Sequence, residues 1–172
     1  MYGILLGAVK SWSVNTKIDK TFYNNVNELL YDGEDGINYL KRISTVHSEM
    51  GPTWNGFCSK YFEVRYGEKP AYIHEFNIEN TPQVIRECSE IINELSNKKW
   101  KNDDIREEMI LCTEGICVMA QLASKLYGNS YETRVDTKKW IRRYREMWLK
   151  KNKESEISKI EEMILYIENM GE

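Results

Sequence analysis

The chain has 172 residues, of which 41% are hydrophobic and 30% are charged, and its net charge at pH 7 is −3. This composition excludes an intrinsically disordered chain, and a chain of this length buries roughly 70% of the surface that it would expose unfolded, which is enough for a sizeable core. The small negative charge excludes a general electrostatic attraction to nucleic acid or to an anionic membrane.

The chain begins with an apolar run over residues 2–9. The run lacks the basic leader of a secretion signal and is too short to cross a bilayer, so neither a signal peptide nor a transmembrane segment is predicted, and we expect a cytoplasmic location. It looks like the middle of a buried element, with residues 1–12 as the remnant of a preceding domain. We therefore expect residues 1–172 to form one helical domain excised from the C-terminal part of a longer protein.

Apolar residues recur three and four positions apart along most of the chain, which predicts an all-α bundle of about seven helices. Asp19 is a predicted N-cap, and Thr81-Pro82 is a predicted helix opening with a hydroxyl cap and a proline in the first turn. Small residues at Gly115, Ala120 and Ala123 would let another helix approach closely. The predicted helices cover residues 2–12, 20–30, about 35–49, 81–97, 103–127 and two segments of the C-terminal stretch 137–171.

Residues 50–80 form the least helical part of the sequence because glycine and proline interrupt it repeatedly. Residues 61–66 alternate with period two, which is typical of a strand, and residues 71–76 could complete a short hairpin. The sequence therefore predicts an irregular loop or a short hairpin in the middle of the bundle.

The C-terminal stretch carries an aromatic stripe. Trp140, Tyr144 and Trp148 recur every fourth residue and Met147 fills the adjoining position, so on a helix all four lie along one side. A second apolar seam, Ile157 to Ile167, follows after a break at Asn152, which predicts a helical hairpin. We expect its aromatic side, together with Trp12, to be an interface covered by other protein.

Basic side chains surround this stripe without sharing its side of the helix, whereas nucleic-acid platforms interleave cations and aromatic rings on one surface. Packing against protein is therefore favoured over nucleic-acid binding, for which salt-sensitive contacts would come from Arg142, Arg143 and Lys150. The cations of this stretch are Lys138, Lys139, Arg142, Arg143, Arg145, Lys150 and Lys151.

The sequence contains few residues that could bind a metal ion or act as a nucleophile. His47 and His74 stand apart from other metal-ligating residues except for the weak pairs with Met50 and Glu75, so no metal site and no cofactor are expected. Cys58 with His74 is the one pairing considered for a nucleophile, and it would lie on a loop.

The remaining cysteines, Cys88, Cys112 and Cys117, are interpreted like Cys58 as reduced packing residues. Among the acids, Glu114 is the strongest candidate for a partly buried carboxylate, with a hydrogen bond to a neighbouring helix as its expected role.

The segment 140–157 resembles the terminal helices of bacterial β-N-acetylhexosaminidase-like glycoside hydrolases of family 20. The pattern Tyr-Arg-x-x-Trp-Leu-x-x-Asn, which starts at Tyr144, carries the resemblance. The opening run 2–13 is similar to the last helix of that family's barrel, and Ile18-Asp19 with Phe22 is similar to the segment after it. Residues 50–80 depart from the family.

The resemblance implies a non-catalytic C-terminal helical domain that supports the catalytic barrel of the parent enzyme or a subunit interface, including one in a homo-oligomer. The family's catalytic Asp-Glu pair lies in the barrel and matches no position here, so no catalytic residue is assigned to this chain. Exposed Trp12 or Trp54 could additionally stack on sugar rings. The alternatives are an independent helical protein- or nucleic-acid-binding module, and an enzyme that uses Cys58 with His74.

Overall fold

The structure is a computed structural model, and it describes residues 11, 17–49, 54–67, 76–129, 131, 135–154 and 157–170. Within these ranges the chain forms seven α-helices and no strand, so the prediction of an all-α helical bundle is confirmed. The predicted helix over 2–12 lies outside the described residues apart from Ser11. The helices are α1 (Lys20–Tyr31), α2 (Gly36–Glu49), α3 (Trp54–Tyr66), α4 (Thr81–Asn97), α5 (Asp103–Leu126), α6 (Thr137–Lys151) and α7 (Ile157–Glu168).

Short polar side chains begin several of these helices, among them Asp19 as predicted and also Asp136. Asp19 accepts a hydrogen bond from the backbone N–H of Phe22 at 3.0 Å, and Asp136 accepts one from Lys139 at 2.8 Å. Thr81 differs from its predicted role, because it is the first residue inside α4 and its side chain is buried. Its hydroxyl accepts a hydrogen bond of 3.4 Å from the hydroxyl of Ser124, so it joins α4 to α5.

Helix α5 is the centre of the bundle. It packs most extensively on α4 and also contacts α2, α3, α6 and α7. Its length and composition would suffice to cross a membrane, but most of its apolar stretch is buried in the bundle. Ala120 and Ala123, two of the small residues predicted to let another helix approach closely, are buried between helices.

The strand predicted over residues 61–66 is wrong, because the whole segment belongs to α3. Phe57 and Tyr61, four residues apart, are buried on the bundle side of this helix. Phe62 and Tyr66 lie on the exposed side and stack on each other with their ring centroids 5.9 Å apart. Within the segment 61–66, Tyr61 therefore faces the bundle while Phe62 and Tyr66 face solvent, as helical spacing requires.

The exposed end of α3 packs against α7 through aromatic contacts and a hydrogen bond. The ring centroids of Tyr61 and Tyr166 are 5.6 Å apart, and the Arg65 guanidinium lies 4.7 Å from the Tyr166 ring centroid. Arg65 also donates a 2.8 Å hydrogen bond to Glu162. Contacts to a helix a hundred residues later in the chain are not visible in local periodicity, which explains why the sequence did not reveal α3.

An ion pair joins α2 to α4. Both terminal nitrogens of Arg42 donate to the Glu94 carboxylate, at 2.7 and 2.9 Å, and the Tyr39 hydroxyl donates to the same group at 3.2 Å. The hydrogen bonds from Arg42 are the main reason why the pKa of Glu94 lies below the usual value of 4.5. Because the Glu94 side chain is 43% exposed, solvent screens the pair and its contribution is at most about 1 kcal/mol.

This pair gives a pH-dependent contribution to stability. Since the folded-state pKa of Glu94 is lowered, the contribution is present above the unfolded pKa of about 4.5 and is lost as the pH falls through the folded value. Replacing Arg42 by methionine is expected to lower the free energy of unfolding by up to about 1 kcal/mol at pH 7 and by less at pH 3, where a larger share of the Glu94 carboxyl is protonated. Urea unfolding at both pH values measures the difference, with Lys99→Met as an exposed control; an equal loss at both values would contradict the assignment.

Candidate binding groove

A groove of about 740 Å³ runs along α5 between the C-terminal half of α2 and the aromatic side of α6. Its lining is predominantly apolar. Ile43 of α2, Phe57 of α3, and Ile160 and Ile164 of α7 are among the residues that line it. Along α5 the lining extends from Glu108 to Leu122, which corresponds to about 21 Å of helix. The site is thus a long apolar channel on the surface of the bundle.

The aromatic stripe predicted from the sequence forms one wall of this groove. The Trp140 and Tyr144 rings are stacked with centroids 5.1 Å apart, and the centroids of Tyr144 and Trp148 are 6.0 Å apart. Met147 lines the groove beside them. The prediction that these four side chains lie on one side of a helix is confirmed, and the structure adds that all four face the same channel.

Trp140 anchors the wall to α5. Its ring nitrogen donates a 2.9 Å hydrogen bond to the backbone carbonyl of Leu111, and its side chain is only 8% exposed. The ring lies over Gly115, where an added Cβ would be 2.9 Å from Cζ2 of the indole. The small residue predicted to allow close approach of a helix thus accommodates an aromatic ring. Tyr144, Met147 and Trp148 are only partly buried, so their apolar surface is available to a further group.

Polar groups lie at the rim of the groove. Lys151 at the end of α6 forms an ion pair with Glu108 near the start of α5, which leaves this rim close to neutral. Ser44 and His47 of α2 contribute to the lining on the opposite wall. The arrangement of a mostly apolar surface with a few polar groups is typical of a binding site.

Cys112 is the thiol in the groove, and its side chain is exposed there. The surrounding protein raises the pKa of this thiol by desolvation, and the nearby Glu108 carboxylate adds to the increase. A nucleophilic cysteine needs the opposite shift, toward a thiolate at neutral pH. Cys112 is therefore unsuited to nucleophilic catalysis, and its exposure differs from the predicted packing role, which Cys88 and Cys117 do fulfil as buried residues.

Three cations of α6, Arg143, Arg145 and Lys151, form ion pairs with carboxylates of the same chain. Arg143 donates to Glu114 at 2.6 Å and to Glu107 at 3.3 Å, and Arg145 donates to Glu161 at 2.8 Å. The prediction that Glu114 bonds to a neighbouring helix is confirmed. These pairs reduce the positive charge that α6 offers to a phosphate backbone, although Lys138, Lys139, Arg142 and Lys150 are exposed.

Several residues that the sequence suggested as functional are not part of the groove. Trp12 and His74 lie outside the described residues, as does the side chain of Trp54. Cys58 lies within α3 and not on a loop, and burial raises the pKa of its thiol, which does not favour a nucleophile. Among the described residues no cluster of three potential metal ligands occurs. The structure thus brings together Trp140, Tyr144 and Trp148 from the predicted interface.

Sequence reasoning missed the opposite wall of the groove. Ile43 and His47 of α2 both line the groove, and their position depends on how α2 packs on α5. The available signal was the excess of apolar surface on α6, which indicated that another apolar surface must face it.

Comparison with known protein families, with curated proteins and with solved structures finds no match to this chain.

Proposed function

We propose that the chain is a non-catalytic helical domain that holds an apolar segment of protein in the groove along α5. The observation that carries this proposal is the partly buried wall formed by Tyr144, Met147 and Trp148 along an apolar channel. Covering this wall removes aromatic surface from water, which is the main favourable term in protein association.

The shape of the groove favours a protein segment over a small molecule. A channel of about 21 Å along one helix matches the way in which an amphipathic helix lays its apolar side into a groove. The catalytic barrel of a family 20 glycoside hydrolase is the partner that the sequence resemblance suggests, and that assignment stays a prediction.

The chemistry of the groove supports a binding role without catalysis. Glu108 and Lys151 neutralise each other at the rim, and Cys112 carries a raised thiol pKa. If the parent is a glycoside hydrolase, this chain should not turn over chromogenic N-acetylglucosaminides by itself. Turnover abolished by the replacement of a carboxylate in this chain would contradict the proposal.

The groove can be tested with N-phenyl-1-naphthylamine, an uncharged apolar dye whose emission rises in an apolar environment. Met147→Glu places a carboxylate in the channel, where a charge loses its hydration when an apolar group binds. We expect this change to weaken dye binding at least about tenfold, equivalent to about 1.4 kcal/mol. Fluorescence titration, with energy transfer from the groove tryptophans, measures the affinity.

The matched control is Leu149→Glu, because Leu149 lies on α6 two residues later and is 43% exposed. Its replacement should leave dye binding within about twofold of the original chain, since an exposed surface change has small effects. Equal dye binding by the Met147→Glu and Leu149→Glu variants would contradict the proposal. The alternative of a nucleic-acid-binding module predicts instead salt-sensitive binding that depends on Arg142 and Lys150.

A further inference from the structure

We propose that Cys88 and Cys117 form a reversible disulfide bond across the interface between α4 and α5 when the folded protein meets hydrogen peroxide. Neither residue belongs to the described lining of the groove, so the inference is independent of the proposed function. The register in which the two helices pack, the burial of both thiols and the contact between them carry it.

Helices α4 and α5 run antiparallel, and hydrogen bonds mark both ends of their interface. At one end the hydroxyl of Ser124 donates to the hydroxyl of Thr81 at 3.4 Å. At the other end the Arg106 guanidinium donates to the backbone carbonyl of Lys98 at 2.8 Å. Thr81 and Ser124 are both buried, so they face each other across the interface and define its register.

This register places the two cysteines opposite each other. Cys88 lies seven residues after Thr81 in α4, and Cys117 lies seven residues before Ser124 in α5. Seven residues are about two turns of helix, so each cysteine lies on the same side of its helix as the hydroxyl that defines the register. Because the helices are antiparallel, both steps lead in the same direction, about 10 Å along the interface.

The two thiols are in contact and shielded from solvent. Cys88 is 0% exposed and Cys117 is 1% exposed, and a hydrogen bond joins their side chains. This hydrogen bond and burial raise the pKa of the Cys88 thiol. At the usual distance of about 8–10 Å between the axes of packed helices, directly opposed Cα atoms lie roughly 3.5–5.5 Å apart, which overlaps the range of about 4.4–6.8 Å in disulfides. The bond therefore requires no large movement of the backbone.

The oxidation takes two steps and removes two electrons from the pair. The thiolate of one cysteine attacks an oxygen atom of the peroxide, the O–O bond breaks, and the leaving hydroxide takes up the proton that the thiol released, which gives water and a sulfenic acid. The sulfur of the other cysteine then attacks the sulfenic sulfur. The S–S bond forms, the S–O bond breaks, and a second water leaves with the proton of the second thiol. Because that thiol is already in contact, this step is favoured over attack by further peroxide.

The test incubates the full chain with hydrogen peroxide for hours under native conditions, because buried thiols react only during local openings of the interface. Catalase stops the reaction, iodoacetamide blocks free thiols, and tryptic peptides are analysed by mass spectrometry without reduction. Cys88 lies on peptide 87–98, whereas Cys112 and Cys117 share peptide 107–125. The Cys112→Ser variant leaves one cysteine on the second peptide and therefore identifies the partner. We expect the two peptides to be linked in the original chain and in this variant, and dithiothreitol to release them.

The melting temperature provides a second measurement. The bond closes a loop of about 30 residues, so the oxidised Cys112→Ser variant should melt about 5–10 °C higher before reduction with dithiothreitol than after it. The control is Cys112→Ser with Cys117→Ser, which should show neither the link nor the shift after the same treatment, and circular dichroism checks that its helix content is kept. If the Cys112→Ser variant forms no link, or forms one without a rise in melting temperature, the inference is overturned.

Discussion

Replacing Trp140 by alanine is expected to lower the free energy of unfolding by about 3–5 kcal/mol, the usual cost of removing a buried aromatic side chain. The indole is 8% exposed, stacks on Tyr144 and lies over Gly115, so its removal leaves a cavity between α5 and α6 that the backbone cannot close easily. The change also removes the hydrogen bond to the Leu111 carbonyl. Chemical unfolding followed by circular dichroism measures the loss.

Trp148→Ala is the matched comparison, because it deletes the same side chain two turns later on the same wall. The Trp148 side chain is only partly buried, and its ring nitrogen donates to the backbone carbonyl of Lys153 at an exposed position. We expect a loss of about 1 kcal/mol in stability together with weaker dye binding. Equal destabilisation by the two replacements would show that the wall is not anchored at Trp140.

Gly36→Ala is expected to destabilise the protein by about 1–3 kcal/mol, although alanine is the better helix former. A Cβ added at Gly36 would lie 2.3 Å from Cγ of Tyr31. Because Cγ is the root of the ring, rotation about the Cβ–Cγ bond leaves it in place, and only rotation about the Cα–Cβ bond, which moves the whole ring, would relieve the overlap. Tyr31 is buried as well, so the turn between α1 and α2 has to shift.

A double-mutant cycle tests this cause directly. In a Tyr31→Ala background the overlap is absent, so Gly36→Ala should become neutral or stabilising, whereas Asn38→Ala, at an exposed position of α2, should change stability by less than about 0.5 kcal/mol in either background. The same penalty for Gly36→Ala with and without the Tyr31 ring would rule out the clash as its origin. Urea unfolding provides each of the free energies.

The helices with strong apolar periodicity and a polar cap were predictable from the sequence. The start of α1 at Asp19 and of α6 at Asp136 depends on hydrogen bonds within three residues, which local sequence specifies. Helix α3 was not predictable, because it depends on contacts with Tyr166 and Glu162 of α7, and its own apolar pattern also fits a strand. Tertiary contacts decided its conformation.

The candidate site was predictable only on one side. Helical spacing places Trp140, Tyr144 and Trp148 together, and this is a property of α6 alone. The channel also requires Ile43 and His47 of α2, whose position is set by the packing of α2 on α4 and α5. The raised pKa of Cys112 is likewise a property of the assembled groove. The sequence therefore indicated a surface that needed covering but not the shape of the site.

The central position of α5 affects the order in which parts of the bundle unfold. Separating α1 from the bundle disturbs mainly α2, and peeling away the α6–α7 hairpin leaves the α4–α5 pair intact. Backbone amides in that pair should consequently be the slowest to exchange with solvent deuterium, while both chain ends open in smaller, more frequent fluctuations. Because α6 and α7 both line the groove, such fluctuations would change the width of the groove without global unfolding.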